Sequence, residues 1–302
     1  MKVAVYQTDP VLLDVKANLE NTIQILEEAK AQDIDLAIFP ELSLTGYFVK
    51  ERYHEVALRL DSPQINQLVQ ATKGMAAVVG FIEESRAMNF YNSALVAVDG
   101  EILFTYRKLN LPNYGVFEER KIFSTGKHVR VFKLHEFTIA PLICNDLWHP
   151  SLPYLAVTQK ADIFITMFNS SQGSMGNEFS NIESWNIINR FYSRVFGVYN
   201  LCANRVGCEV FENLGTDNGE SKEADSSSAD DNPFRFWGGS EIINPFGQPI
   251  ATAALYDTDV IFANISRDPI RKKRILLPYL KGDDPYFTHR ELTRILFEKS
   301  RK

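Results

Sequence analysis

Short apolar segments alternate with amphipathic ones along most of this chain, and that alternation constrains its fold more than any other feature. Residues 2–7 (KVAVYQ) are typical of a buried strand, and residues 17–31 carry apolar side chains at helical spacing. Hairpin turns are indicated by Asp-Gly at 99–100 and by Asn-Pro-Phe-Gly at 244–247. Parallel-type strands early and antiparallel hairpins later predict an α/β fold whose mixed sheets are covered by helices.

The longest predicted helix covers about residues 178–196. An apolar stripe at helical spacing runs along it and should face the core. The stripe comprises Phe179, Ile182, Trp185, Ile188, Phe191 and Val195.

Composition excludes several classes of protein. The 302 residues are 45% hydrophobic and 23% charged, which are globular values. The net charge of −6 argues against a non-specific nucleic-acid binder. No apolar run reaches the ~18 residues of a membrane helix, and the N-terminal residues do not resemble a signal peptide. Three cysteines, Cys144, Cys202 and Cys208, are too few for a disulfide framework, so we expect a reducing, cytoplasmic location.

Two segments differ from the rest of the chain. The stretch at about 213–236 is acidic and serine-rich, and we expect a mobile insertion, either a lid over a cleft or a solvated loop. Residues 271–302 carry ten Lys or Arg against four Asp or Glu. The length allows either two domains or one large layered domain.

Three apolar strands each end in a side chain capable of catalysis. Glu41 follows the strand at 35–39, Lys108 follows the strand at 101–107, and Cys144 follows the strand at 137–143. Ligand sites in α/β sheets form beyond the carboxyl ends of strands. A thiol, a carboxylate and an ammonium there would supply a nucleophile, a proton acceptor and a charge stabiliser. The non-catalytic interpretations are a helix N-terminal acid, a surface lysine and a buried structural thiol.

The amino-acid sequences of these three segments resemble the motifs of the nitrilase, or carbon–nitrogen hydrolase, superfamily. The motifs occur in the family's order, and ANRVG (203–207) and GGSEIINPFGQPIATA (238–253) also match. The resemblance implies a four-layer α-β-β-α sandwich over residues 1–266. A basic C-terminal extension, 267–302, would then lie at the interface of a homodimer or higher homo-oligomer. The three segments are FPELSLTGY (39–47), YRKLNLPNYGVFEERKIFSTG (106–126) and LICNDLWHP (142–150).

Carried over by position, the family's catalytic residues are Glu41, Lys108 and Cys144. The resemblance implies that Cys144 attacks a carbonyl and that Glu41 acts as general base, with water hydrolysing the thioester. Lys108 and the backbone N–H of Asn145 would hold the oxyanion. The family's additional glutamate falls on Glu119, or on Glu118 if the register is shifted by one. A nearby ammonium should favour the Cys144 thiolate, and no metal or organic cofactor is required.

The resemblance implies a small carboxamide or N-carbamoyl substrate, and Tyr47, Tyr114, Trp148 and Asn169 are pocket candidates that core packing would also explain. The lysine motif is closest to the glutaminase domain of glutamine-dependent NAD synthetases. Because the chain ends at 302 without an ATP-binding domain, we favour a stand-alone amidase over an ammonia supplier. A nitrilase acting on C≡N and an inactive binding or scaffold protein also remain compatible with these motifs.

Competing sites have weaker support. His149 lies five residues from Cys144, so a Cys–His dyad must be weighed, but a histidine just before Pro150 fits a helix start better. Cys202 and Cys208 lack zinc-site spacing. No GxSxG, GxGxxG or GxxxxGK[ST] motif occurs in the sequence.

Overall fold

A computed structural model of the chain describes residues 1–172, 180–209 and 234–297. The insertion predicted at about 213–236 lies outside the described residues except for its last three positions. Phe179 of the predicted helical stripe also lies outside them.

The first sheet of the described chain contains six strands. They are β1 (Lys2–Gln7), β2 (Leu36–Ile38), β3 (Ala76–Glu84), β4 (Phe90–Val98), β5 (Glu101–Arg107) and β14 (Asp259–Asn264). Their order is β14-β1-β2-β3-β4-β5. The pairs β1–β2 and β2–β3 are parallel, and the other pairs are antiparallel. The central parallel strands therefore point their carboxyl ends to one edge, where β2 leads into Glu41.

The second sheet also has six strands within the described residues. They are β6 (Phe132–Leu134), β7 (Phe137–Ile143), β8 (Ile163–Phe168), β9 (Tyr199–Asn204), β12 (Glu241–Ile243) and β13 (Pro249–Thr252). Their order is β13-β12-β9-β8-β7-β6, with β7, β8 and β9 parallel. A separate two-stranded ribbon joins β10 (Val206–Cys208) to β11 (Arg235–Trp237). The predicted mixed α/β architecture is confirmed.

Eight α-helices occur among the described residues. They are α1 (Val15–Ala31), α2 (Tyr53–Val56), α3 (Pro63–Ala71), α4 (Glu119–Ile122), α5 (Ser151–Thr158), α6 (Asn181–Phe196), α7 (Arg267–Leu276) and α8 (Pro285–Phe297). Short 3₁₀ helices cover Lys50–Arg52, Cys144–Trp148 and Tyr279–Lys281.

Strand alternation separates the two faces of the first sheet. Val3 and Val5 of β1 face the second sheet, in one core with Leu142 and Ile165. Between them, Ala4 lies in a second core built with the apolar faces of α1 and α3. Trp185 of α6 and residues of α5 pack on the second sheet. The layers are therefore helix, sheet, sheet and helix, because both faces of each sheet are apolar.

The buried face of α6 differs from the predicted stripe. Trp185 is buried as expected, but Phe191 is 53% exposed, so that part of the prediction is wrong. Asn189 and Ser193 are buried instead. Asn200 Nδ2 of β9 donates to Asn189 Oδ1 at 3.3 Å. A partner on the sheet makes polar burial acceptable there, which apolar periodicity does not detect.

The C-terminal helices have little buried surface. In α7, Ile270 and Lys273 are buried and Arg274 donates to Asp162 at 2.9 Å. No described residue of α8 is buried. Among the helices that the structure describes, none combines the length and apolar character needed to span a bilayer.

Candidate active site

The loop after β2 carries Glu41 into the interior, where this residue is 1% exposed. The loop passes so close to β3 that a Cβ atom at Gly80 would lie 2.4 Å from the backbone of Pro40 and of Leu42. Leu42 adopts a φ of +48°, in the left-handed region that non-glycine residues rarely occupy. Glycine at position 80 therefore permits the approach that positions Glu41.

Lys108 follows β5 and is fully buried. Its backbone N–H donates to Asn92 O at 2.9 Å, and its carbonyl accepts from Gly126 N at 2.9 Å. A Cβ atom at Gly126 would lie 2.1 Å from Arg107 O, so this position also requires the absence of a side chain. The lysine backbone is thus held on both sides, which directs the ammonium inward.

Cys144 lies at the turn between β7 and the 3₁₀ helix Cys144–Trp148. Its φ is +46°, a strained conformation for a residue with a side chain. Fully buried Asp146 anchors this turn to the chain after Lys108, since Oδ1 accepts from Asn110 N at 2.7 Å and Leu109 N at 3.0 Å. Its Oδ2 accepts from Tyr106 Oη at 2.8 Å. Asp146 therefore fixes the cysteine turn relative to the lysine segment.

Three of the predicted catalytic side chains form one buried ionic cluster. Lys108 Nζ donates to Glu41 Oε1 and to Glu119 Oε1, both at 2.7 Å. Asn92 Nδ2 donates to Glu41 Oε1 at 2.7 Å, and Tyr47 Oη donates to Glu119 Oε1 at 2.6 Å. Each charge is paired, and each carboxylate accepts a further hydrogen bond on Oε1, which offsets the cost of burial, while Glu119 Oε2 has no partner among the described residues.

Cys144 lies beside this cluster. The backbone N–H of Asn169 donates to Glu41 Oε2 at 2.9 Å, and the same backbone group acts to lower the pKa of the Cys144 thiol. The thiol and the Glu41 carboxylate therefore both lie beside the Asn169 backbone. The structure thus brings Glu41, Lys108, Glu119 and Cys144 together, from four separate parts of the chain.

Burial and pairing shift the pKa values of the cluster in specific directions. Burial alone would lower the pKa of Lys108, but Glu119 and Glu41 outweigh it and raise that pKa well above its usual range. Burial raises the pKa of Glu119 to about 7, against the opposing effect of Lys108. The lysine is consequently a permanent cation, while Glu119 titrates near neutrality.

The pKa of the Cys144 thiol is not lowered overall, as the neighbouring Lys108 alone would predict. Burial, followed by the negative charge of Glu41, raises the pKa of Cys144 well above its usual value, although Lys108 acts in the opposite direction. The expectation that a nearby ammonium would favour the thiolate therefore fails in net effect. A buried thiol of this kind needs a base at the moment of attack.

A cavity of about 220 Å³ opens at Cys144. Tyr114, Trp148 and Asn169, three of the four predicted pocket residues, line it together with Asn145. The fourth candidate, Tyr47, lines a second cavity of about 140 Å³, which Glu119 also lines. Tyr114 Oη donates to Asn145 Oδ1 at 3.0 Å, which fixes one wall of the first cavity.

Two residues of this network were not identified from the sequence. Asn92 lies beside Ser93 in the mostly apolar strand β4, and Asp146 lies two positions after the cysteine. A polar side chain in a buried segment indicates a specific partner. That signal was present, but the sequence does not name the partner.

The competing candidate residues lie away from this cluster. Glu118, the neighbour of Glu119, has its side chain 59% exposed and pairs with Lys121. His149 is exposed at the end of the 3₁₀ helix, Cys202 is buried, and Cys208 is exposed. Within residues 1–172, 180–209 and 234–297, no group of three or more His, Cys, Asp or Glu side chains is arranged to hold a metal ion.

The sequence of this chain is similar to those of two kinds of known enzyme. The glutamine-dependent NAD(+) synthetase of Thermotoga maritima is 37% identical over 156 residues, which are 51% of this chain and 27% of that protein. The N-carbamoylputrescine amidase of Oryza sativa subsp. japonica is 26% identical over 281 residues, 90% of this chain and 89% of that protein. The match therefore spans about a quarter of the synthetase but nearly all of the amidase.

The fold and the sequence pattern agree on the family. The structure of a carbon-nitrogen hydrolase from Helicobacter pylori G27 superposes with a TM-score of 0.78 at 22% identity, covering 97% of this chain and 98% of that one. This likeness confirms the α-β-β-α sandwich implied by the sequence motifs. The sequence pattern of the carbon-nitrogen hydrolase family matches residues 2–275. The chain therefore belongs to the carbon–nitrogen hydrolase family.

Proposed function

We propose that this protein is a cysteine-dependent amidase, which hydrolyses a small carboxamide or N-carbamoyl compound through a thioester. The observation that carries the proposal is the buried Glu41–Lys108–Glu119 cluster beside Cys144, which lines one cavity with Asn169, the residue whose backbone N–H donates to Glu41. A nucleophile, a base and a fixed cation within one cavity are the groups that acyl transfer requires.

In the first half-reaction, the Cys144 thiol proton passes to Glu41 as the sulfur forms a bond with the carbonyl carbon. Lys108 and the backbone N–H of Asn145 stabilise the oxyanion, a contribution on the order of 10²–10³ per donor. The C–N bond then breaks, and Glu41 returns the proton to the departing ammonia or amine. The acyl group remains on sulfur as a thioester.

In the second half-reaction, water replaces the amine. Glu41 takes a proton from the water as its oxygen attacks the thioester carbonyl, and that proton returns to the sulfur when the C–S bond breaks. The products are a carboxylic acid, or the carbamate from a carbamoyl substrate, and the free enzyme. Glu119 acts in both halves by holding Lys108 through a 2.7 Å hydrogen bond.

Relatives named N-carbamoylputrescine amidase support the amidase proposal over most of the chain. A relative named arylacetonitrilase favours a nitrilase, and the glutamine-dependent NAD(+) synthetases favour a glutaminase-like ammonia supplier. Ammonia release from matched amides, carbamoyl compounds, nitriles and glutamine separates these functions. Preferential release from amides, lost in Cys144→Ala, supports the amidase. No release from any compound, with Cys144 unreactive towards iodoacetamide, favours the inactive binding protein.

We also propose that the C-terminal extension lies between two copies of the chain. Ile275, Leu276 and Tyr286 are 62%, 59% and 81% exposed, and apolar exposure on this scale is typical of interfaces. Light scattering at micromolar concentration tests this. A dimer or larger assembly supports it, and a monomer contradicts it.

A further inference from the structure

The cavity at Cys144 combines polar and aromatic lining residues, and none of the described residues that line it carries a formal charge. The polar ones are Cys144, Asn145, Asn169, Ser170 and Asn181. The apolar walls are formed by Pro112, Tyr114, Phe117, Trp148 and Trp185.

The aromatic walls are fixed before any ligand arrives. Trp185 stacks on Phe168 with ring centroids 4.4 Å apart, and Trp148 meets Trp185 edge-on at 5.7 Å. On the opposite segment, Tyr114 meets Phe117 edge-on at 5.7 Å. Because the Tyr114 hydroxyl already donates to Asn145, its ring is held in place. Aromatic groups packed in this way present faces and edges that favour another aromatic ring.

The side chain of Asn169 supplies an unused hydrogen-bond donor and acceptor in the cavity lining. Its side chain is buried at 1% exposure, and neither Oδ1 nor Nδ2 has a hydrogen-bond partner within the described part of the chain. Leaving both groups of a buried amide unpaired is unfavourable, so such a residue indicates a missing partner. A primary carboxamide offers one acceptor and two donors, which complement both atoms.

We infer that this cavity takes a small aromatic carboxamide, with the carboxamide at Asn169 and Cys144 and the ring among Trp148, Tyr114 and Phe117. The inference rests on the proposed amidase function and specifies its substrate class. An apolar cavity of roughly 150 Å³ holds benzene, so about 220 Å³ has room for a phenyl ring and a short carboxamide. Glutamine would instead bring an ammonium and a carboxylate, for which the lining residues that the structure describes offer no opposite charge.

The test compares phenylacetamide, acetamide and glutamine as substrates of the full chain. We expect kcat/KM for phenylacetamide to exceed the values for acetamide and glutamine on the order of 100-fold, because burying a phenyl ring stabilises the complex by a free energy of that size. Trp148→Ala should lower kcat/KM for phenylacetamide about tenfold through KM and change the acetamide value less than about twofold. Leu155→Ala is the matched control, because Leu155 is 46% exposed and does not line the cavity.

Asn169→Ala gives the complementary pattern. It should lower kcat/KM for phenylacetamide and acetamide by the same factor, about tenfold or more, because both present a carboxamide. Its folding stability should change little, since the side chain has no described partner to lose. Equal losses on both substrates in Trp148→Ala, or an acetamide-selective loss in Asn169→Ala, would overturn the assignment.

The outcomes separate this inference from the amidase proposal. Faster turnover of acetamide or glutamine than of phenylacetamide overturns the aromatic specificity and leaves the amidase intact. No ammonia from any amide overturns the amidase. Calorimetry with Cys144→Ala then measures the binding preference of the cavity without turnover. A Kd for phenylacetamide at least tenfold below those for acetamide and glutamine supports the aromatic specificity. Equal or reversed affinities refute it.

Discussion

Asn169 and Glu41 are joined by a 2.9 Å hydrogen bond from the backbone N–H of the first to Oε2 of the second. The same backbone group acts to lower the pKa of the Cys144 thiol, and Cys144 and Asn169 line one cavity. On its other oxygen, Glu41 accepts from Lys108 at 2.7 Å. Glu41 therefore lies close enough to the thiol for its charge to raise the pKa of Cys144.

Glu41→Gln should separate turnover from thiol reactivity. Loss of the base should lower kcat by about 10²–10⁴-fold. Because the Glu41 charge raises the pKa of Cys144, its removal should increase the thiolate fraction at pH 7. Alkylation of Cys144 by iodoacetamide should therefore be faster in the variant, as followed by intact-protein mass spectrometry. Glu27→Gln, with its side chain 59% exposed, is the control, and slower alkylation of Glu41→Gln would contradict the assigned electrostatics.

Glu119→Gln should alter how stability depends on pH. The pKa of Glu119 is raised from 4.5 to about 7 in the folded chain, so the folded state keeps a proton that the unfolded chain loses between these values. The stabilisation from Glu119 is full below pH 4.5 and is lost as the pH rises through about 7. The difference in free energy of unfolding, wild type minus Glu119→Gln, should fall by roughly 1–3 kcal/mol from pH 4.5 to 7.5.

Urea titrations at several pH values measure that difference. Glu118→Gln, at the exposed neighbouring carboxylate, should show no comparable trend. Asp146 also has a pKa raised by burial, to about 6, but it is present in both proteins and cancels from the comparison. A difference that rises with pH would show that Glu119 is stabilised in its ionised form instead.

Asp146→Asn should weaken the connection between the cysteine turn and the lysine segment. The carboxylate accepts hydrogen bonds from Tyr106, Leu109 and Asn110, and an amide cannot satisfy all of these donors. We expect a loss of about 2–4 kcal/mol in the free energy of unfolding and a kcat at least tenfold lower. Asp61→Asn on the surface should stay within about 0.5 kcal/mol. Unchanged kcat and stability would remove Asp146 from the network.

Gly80→Ala should displace Glu41 without touching it. The added Cβ would lie 2.4 Å from the backbone of Pro40 and of Leu42, so the loop must shift. We expect a loss of about 1–3 kcal/mol in unfolding free energy and a larger fractional loss in kcat than in 1/KM. At Gly282, a Cβ would meet only Tyr279 O at 3.8 Å, so Gly282→Ala is the control. Wild-type kcat in Gly80→Ala would mean that the loop tolerates displacement.

Most of the architecture could be predicted from the sequence, because strand alternation and hairpin turns are local signals. The Asp99-Gly100 turn, for example, joins β4 and β5 at the positions predicted for them. The prediction of the buried face of α6 was less accurate, because Phe191 is exposed. Burial of Asn189 depends on Asn200 in β9, a partner 11 residues away in sequence, and apolar periodicity contains no information about such pairs.

The side chains that form the buried cluster were predicted from the sequence, but the electrostatics of the cluster were not. The strand-end positions and the family motifs pointed to Glu41, Lys108, Cys144 and Glu119. The net pKa of the thiol depends on how deeply it is buried and on the balance between one ammonium and two carboxylates. Those quantities exist only in three dimensions. For the same reason, motif matching did not reveal that Asp146 links two of the motifs.

Mass spectrometry of the acid-quenched enzyme tests the central claim, that Cys144 is the nucleophile, most directly. The protein incubated with phenylacetamide or another hydrolysed amide should gain the mass of the acyl group, and the modified peptide should contain Cys144. Cys144→Ala should keep its fold by circular dichroism, gain no adduct and release no ammonia. An adduct on another residue, or more than a few per cent of wild-type turnover in Cys144→Ala, would contradict the account.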